Sequence, residues 1–309
     1  FGAAFFGAAF FGASSAGTAA GLDADTGAIG GAGEGALRSP SITLTARFRT
    51  RIGRLASRRI MDSSEVAILA RQWVSCSPMR GFIDMAITIL DGPLGTELID
   101  RGHCCPAPAW SASVLKEAPE ALAALHAEYA AAGATHHTAN TFRTQPHILG
   151  DDWTRWAERA VSIARESVGP GHRVLGSIAP VADCYRPDLS PPDAKDAHIA
   201  LAQVLAKAGV DIVLAETFPH PEEGLDAAHA GLQTGLPTWL SLTAGPLADL
   251  MSPAVMQHTA ERAGDLGVSA ILVNCVAATQ IRPFLDAISD VGLPFGVYAN
   301  AGHVDEGLG

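Results

Sequence analysis

Residues 206–225 read AKAGVDIVLAETFPHPEEGL, and their punctuation decides the fold. An Ala-rich stretch of helical character runs into Gly209, the residue type that most readily takes the left-handed conformation just past a helix end. A short step leads into the apolar run 212–215, the pattern of a strand buried on both faces. The run stops at Glu216 and Thr217, and helical character returns from about residue 222. The same helix–glycine–strand order recurs at AAAGA (130–134) and DLGVSA (265–270).

Extended outward, this grammar places strands at 87–90, 135–138, 174–178, 212–215, 238–242, 270–273 and 296–299. Helices are expected near 119–132, 152–168, 193–208, 222–234, 253–266 and 279–291. Strict β/α alternation with buried parallel strands means either a doubly wound sheet or a (β/α)8 barrel, and the spacing suits both. Seven strands and six helices precede the last residue, Gly309, whereas a barrel closes with eight strands.

Residues 1–84 have a different texture. They open FGAAFFGAAFFGA, stay rich in Gly, Ala and Ser, then turn Arg-rich. They carry nine arginines, no lysine and six acids, a formal +3, whereas the remainder carries 12 basic and 26 acidic residues, −14. Such low complexity buries too little surface to offset its backbone entropy. The basic residues follow the apolar stretch instead of preceding it, unlike a signal peptide. The expectation is a disordered or non-native upstream segment over 1–84, with a folded unit over 85–309. The overall charge of −11 excludes broad phosphate-backbone binding, so no nucleic-acid partner is expected, and no membrane span is convincing. Five unevenly spaced cysteines (76, 104, 105, 184, 275) make a disulfide framework improbable and a cytoplasmic location the default.

In a parallel barrel, chemistry gathers at the C-terminal ends of the strands. There the sequence offers DGPLGTEL, ANTF, SIAP, ETFPHPEE, TAGP, NC and YANAG, whereas the strand interiors are almost wholly apolar. Asp91 and Glu216 would face one mouth, able to bind an ammonium group, ligate a metal or share acid–base work. The competing readings are plain: Asp91 as a turn acid, Glu216 as a helix N-terminal acid, Asn140 and Thr141 as turn and cap residues, Cys275 as a small buried residue. His136 and His137 are adjacent, so at most one faces the barrel interior. His303 is a loop residue without an assigned role. The three lysines after residue 84 (116, 195, 207) avoid the strand ends, which disfavours a Schiff-base lyase.

Taken in order, ILDGPLGTELIDRG (89–102), WSASVLKEAPEALAALHAEYAAAGATHHTANTF (110–142), GSIAP (176–180), AGVDIVLAETF (208–218), VNC (273–275) and YANAG (298–302) resemble the homocysteine S-methyltransferase family. The resemblance implies a (β/α)8 TIM barrel, here truncated after the seventh strand. It also implies one Zn2+ held by three thiolates: Cys275 matches the first, and the other two belong to a Gly-Gly-Cys-Cys motif that the sequence to Gly309 lacks. Asp91 with Gly92 and Glu216 would hold the homocysteine ammonium, Asn140 and Thr141 would shape the pocket, and Asn274 would line it. A thiolate is the competent sulfur nucleophile, and thiolate-bound zinc can hold a substrate sulfur deprotonated. The implied partners are small molecules, homocysteine and a methyl donor of sulfonium or betaine type. Neither the donor's identity nor the oligomeric state is legible. Cys104 and Cys105 lie at the same end of the barrel and are weighed as stand-ins, with a variable loop carrying two free thiols preferred. The alternative function is a non-catalytic barrel relative that has lost its zinc and only binds an amino-acid-like ligand.

Overall fold

The computed structural model describes residues 88–300. The unusual 1–84 segment, Met85, His303 and the end of YANAG lie outside them. The described elements are α1 (Leu94–Asp100), α2 (Val114–Glu117), α3 (Pro119–Ala131), β1 (His136–Ala139), α4 (Pro146–Leu149), α5 (Trp153–Ser167), β2 (Arg173–Ile178), α6 (Ala194–Ala208), β3 (Ile212–Phe218), α7 (Pro221–Leu232), β4 (Thr238–Leu242), α8 (Pro253–Leu266), β5 (Ala270–Ala277), α9 (Arg282–Ser289) and β6 (Phe295–Asn300). Gly209 and Gly267 take φ of 88° and 101° just past α6 and α8, the left-handed caps anticipated there.

The six strands form one parallel sheet in the order β1-β2-β3-β4-β5-β6. A doubly wound sheet reverses its strand order part-way, and this one does not, which excludes that alternative. The sheet is curled. His136 on β1 stacks on Trp239 on β4, ring centroids 5.7 Å apart. In a flat sheet, strands three places apart would be separated by roughly 14 Å. The Tyr298 hydroxyl on β6 likewise reaches Glu216 on β3. The concave face carries Leu90, Leu175, Ile212, Leu214, Trp239, Ala270 and Leu272, with Tyr298 packed against them. The convex face carries Val174, Ile178, Val213, Ala215, Leu240, Leu242, Ile271 and Val273, which meet the helices in the main core. From β2 to β5 alternate residues thus serve two apolar layers, which is why those strands read as largely apolar runs, whereas β1 gives only Ala139 to the main core.

Of the strand expected at 87–90, the described residues 88–90 form a single parallel bridge, Leu90 to His136. Two backbone bonds flank it: Thr135 N–H donates to the Ile89 carbonyl (3.0 Å) and Asp91 N–H to the His136 carbonyl (2.9 Å). The pairing ends there because Pro93 has no N–H and α1 starts at Leu94. Conversely, β3 and β5 run past their expected ends, to Phe218 and Ala277. Register shifts between Ala215 and Phe218 and between Asn274 and Ala277 let both ladders resume beyond an irregularity. Glu216 and Cys275 therefore lie within strands, where a bulge re-aims them, rather than after them. α9 is shorter than expected because residues 278–280 form a turn.

Candidate active site

The polar end of the concave face is built on those two bulges. Thr217 (φ 64°) and Cys275 (φ 54°) are non-glycine residues in left-handed conformations, one in each bulge. Such conformations cost about 1–3 kcal/mol each and persist where surrounding contacts fix them. Here the contacts are visible. The Asn274 amide donates to Thr217 Oγ1 (2.7 Å) and to Cys275 Sγ (3.2 Å), and Thr217 Oγ1 lies 3.9 Å from that sulfur. The Ser241 hydroxyl on β4 donates to Asn274 Oδ1 at 2.8 Å. Asn274, expected to line the pocket, thus spends its polar atoms on holding the cysteine.

Glu216 projects onto the same face. Ser177 on β2 donates to its Oε1, and the Tyr298 hydroxyl donates to its Oε2 at 2.9 Å. Burial raises its carboxyl above the usual range, and the two hydroxyl bonds pull the other way. Burial also pushes the Cys275 thiol well up, reinforced by the charges of Cys184 and Glu216. Unaided, this sulfur keeps its proton at neutral pH, and only a positive partner would favour the thiolate.

Asp91 is buried as well, and burial raises its carboxyl far above the ordinary value; the field of Glu216 adds to this. Its Oδ2 accepts from the backbone N–H of Thr138 (2.9 Å) and lies 3.8 Å from His126 Nδ1 on α3. Burial holds His126 neutral, down to about 3, so the contact is neither an ion pair nor a hydrogen bond. Asn140 is consumed by Ser111, accepting from its hydroxyl (2.7 Å) and donating to its carbonyl (2.8 Å). Thr141 ties β1 to β2, its hydroxyl donating to the Ser177 carbonyl (2.8 Å) and accepting from the Ser177 N–H (2.9 Å). These two residues fasten the rim of the mouth.

Residues 88–309 match the family model described as homocysteine S-methyltransferase. The chain belongs to the homocysteine S-methyltransferase family. A homocysteine S-methyltransferase of Escherichia coli (strain K12) is 30% identical over 259 residues, covering 74% of this chain and 83% of the relative. Homocysteine S-methyltransferase 4 of Zea mays is 29% identical over 262 residues, covering 72% and 76%. Against betaine–homocysteine S-methyltransferase 1 of Xenopus laevis (30% over 200 residues) the chain spans only about half of the relative's length, 49%. The solved oxidized form of the homocysteine methyltransferase MmuM from E. coli superposes with a TM-score of 0.60 at 26% identity, covering 75% of this chain and 88% of that one. Its metallated form gives 0.63 at 23% identity, which speaks for the fold.

Asp91, Glu216 and Cys275 stand out in the sequence, but the side chains that hold them do not. Ser177 stands in the quoted SIAP and Tyr298 in YANAG, yet neither was singled out: Ser177 reaches Glu216 from the neighbouring strand β2, and only the curl brings Tyr298 to it. Cys104 is exposed, Cys105 half-buried, and both are free thiols. Among the described residues the one group of three metal-ligating side chains within mutual reach is Asp91, His126 and His137. Neither Cys184 nor the Cys104–Cys105 pair completes a three-donor set with Cys275. As expected of neighbours on a strand, His136 faces the concave side and His137 the other, where His126 and His172 lie. No helix among the described residues is long and apolar enough to cross a membrane.

Gly92 illustrates why the Asp-Gly turn is built as it is. A Cβ there would sit 2.6 Å from the Tyr129 ring of α3, whose hydroxyl donates to the Pro93 carbonyl at 3.1 Å. Tyr129 is itself buried, so it has nowhere to retreat. Gly92→Ala is expected to destabilise the chain by about 1–3 kcal/mol, the usual cost of overpacking, read as a lower urea midpoint at unchanged slope.

Proposed function

We propose that this chain transfers a methyl group from a small sulfonium or betaine-type donor to the sulfur of homocysteine, giving methionine, at the polar mouth of a (β/α)8 barrel. The observation that carries the reading is the convergence of Glu216 and Cys275, each fixed by its own hydrogen bonds, at one end of the concave face in a member of this family. The relatives named above for homocysteine support the acceptor, and the one named for betaine supports a betaine-type donor.

In this reading Glu216 takes the substrate ammonium, and Asp91 adds to the negative field beside it. Ser177 and Tyr298 hold the Glu216 carboxylate in one orientation, so little reorganisation is needed on binding. Gly92 lets the first turn approach closely, and Asn140 and Thr141 fasten the rim. Asn274 and Thr217 aim the Cys275 sulfur and offer it donors, which suits a thiolate ligand. Cys275 would be one ligand of a Zn2+ ion; the described residues supply this one sulfur of the three that the family resemblance implies. Bound zinc would supply its ordinary chemistry with thiols, favouring the deprotonated sulfur at neutral pH. The described cysteines are all free, in keeping with a reducing, cytoplasmic setting.

A donor panel of S-methylmethionine, S-adenosylmethionine, betaine and methylfolate, assayed with homocysteine, identifies the donor. Cys275→Ala is expected to lose any sulfur-bound zinc, measured as metal content after purification. Undiminished sulfur-bound zinc in that variant would defeat the ligand assignment.

A further inference from the structure

The mouth carries two buried acids, Glu216 and, within reach of its field, Asp91. An amino acid brings a carboxylate beside its ammonium, and acids placed for the ammonium repel that carboxylate unless a cation stands near. One cation lies at the same end of the sheet. Arg143 is half-buried in the loop that follows β1, three residues past Asn140. Among the described residues no carboxylate pairs with it, whereas surface arginines such as Arg101, Arg165 and Arg262 do pair with acids. Arg155 and Arg159 also lack an acid, but they are exposed on α5. Removing a charge from water without an opposite charge is costly, so a half-buried guanidinium of this kind is suited to an anionic ligand.

The contacts of Arg143 fix it without neutralising it. Its Nη1 donates to the Ala182 carbonyl (2.9 Å) and, more weakly, to the Pro180 carbonyl (3.4 Å), both in the loop after β2. Those carbonyls are held in turn: Gln145 Nε2 donates to the Ala179 carbonyl, and the Val181 N–H donates to Glu223 Oε1, each at 2.9 Å. The guanidinium stacks over the Phe142 ring, 5.1 Å from its centroid, and that ring meets Trp110 edge-on at 5.9 Å. Trp110 lies so close to Gly95 of α1 that a Cβ there would clash with its ring, which ties the stack to the loop carrying Asp91. Both hydrogen bonds leave Nη1. The Nε–Nη2 edge of the fork, able to grip a carboxylate with two parallel bonds, is left for a ligand. The charge is felt inside the mouth: burial pushes the Cys184 thiol up to about 11, the field of Arg143 pulls it back, and Cys184 acts in turn on Cys275.

We infer that Arg143 binds a substrate carboxylate and so determines specificity in the reaction proposed above, a role that rests on that reading. Glu216 and Asp91 take the ammonium of the amino acid, and Arg143 takes its carboxylate. A betaine or S-methylmethionine donor also carries a carboxylate, and the test separates the two sources.

The test is calorimetric titration of the full-length protein with methionine, with its decarboxylated counterpart 3-(methylthio)propylamine, and with betaine. The parent should prefer methionine to the amine by at least about tenfold. Arg143→Gln should weaken methionine about ten- to hundredfold and leave the amine's affinity unchanged. Arg143→Lys, which keeps the charge and loses the fork, should fall in between. Damage to the fold would weaken both ligands alike, so the ratio isolates the carboxylate. A loss confined to betaine assigns the carboxylate to the donor and upholds the anchoring role. Unchanged affinity for methionine and betaine in Arg143→Gln, or equal losses for methionine and the amine, would overturn the inference and leave methyl transfer standing. A folded parent that binds neither methionine nor betaine would defeat the inference together with the reading beneath it. Should Arg143→Gln fail to fold, the methionine-to-amine ratio in Arg143→Lys decides, and a ratio equal to the parent's overturns the inference.

Discussion

Replacing Glu216 with glutamine is expected to weaken homocysteine and methionine binding by about 2–5 kcal/mol, roughly thirtyfold to a few thousandfold, the loss seen when one partner of a buried charge pair is removed. The carboxylate is 8% exposed and receives two hydroxyl donors, so its charge is fixed in place. The isosteric amide keeps the volume, removes the charge and turns an NH2 group towards one of those hydroxyls. Calorimetric titration of the variant with each amino acid checks this. Tyr298→Phe, which removes one support but leaves the charge, should cost less.

The same residue gives the pH dependence a definite sign. Burial raises the Glu216 carboxyl, so the ionised form that pairs with an ammonium appears only above the ordinary carboxylate range. Affinity should rise with pH through a midpoint above 4.5, and this rise should vanish in Glu216→Gln. Stability runs the other way. A carboxyl whose folded-state pKa is raised contributes stability below its unfolded value and loses it as pH rises through the folded value. At pH 8 the unliganded glutamine variant should therefore melt no lower than the parent. Lower affinity without lower stability separates a binding role from a structural one.

Phe218→Ala is expected to destabilise the fold by about 3–5 kcal/mol, the usual cost of emptying a buried aromatic site. Phe218 is fully buried and packs edge-on against His198, ring centroids 5.6 Å apart. A Cβ built on Gly224 of α7 would come within 3.0 Å of its own Cβ, so helix and strand already touch there. The ring cannot be replaced by movement of the helix without disturbing the β3 bulge just before it, which positions Glu216 and Thr217. A urea titration should show a reduced midpoint, with weakened ligand binding at concentrations where the chain is still folded.

The alternation of helix and strand was legible because β2 to β5 are largely apolar on both faces and helices such as α6 and α8 end in a left-handed glycine. Glu216, Asn274 and Cys275 were legible because a polar residue at the end of an apolar run is conspicuous. The bulges were not: a register shift is a property of two paired strands, and nothing in LAETF or VNCVA announces it. The bond from Tyr298 to Glu216 spans 82 residues and follows from the curl, which no local pattern encodes. His126 was hidden by composition. α3 is so rich in alanine that its buried and exposed faces look alike, and a histidine within it gives no sign of lying in the core. At the first strand the run 87–90 suggested regular pairing, whereas among the described residues only Leu90 forms a bridge, and Pro93 and the start of α1 stop the pairing beyond it.

Methionine formation tests the central claim most directly. The full-length protein, supplied with zinc, homocysteine and methyl-labelled S-methylmethionine, S-adenosylmethionine or betaine, should yield labelled methionine from at least one donor, detected by mass spectrometry, and Cys275→Ser should yield none. A folded, zinc-supplied chain that binds homocysteine yet forms no labelled methionine from any of these donors would contradict the account and leave a ligand-binding relative in its place.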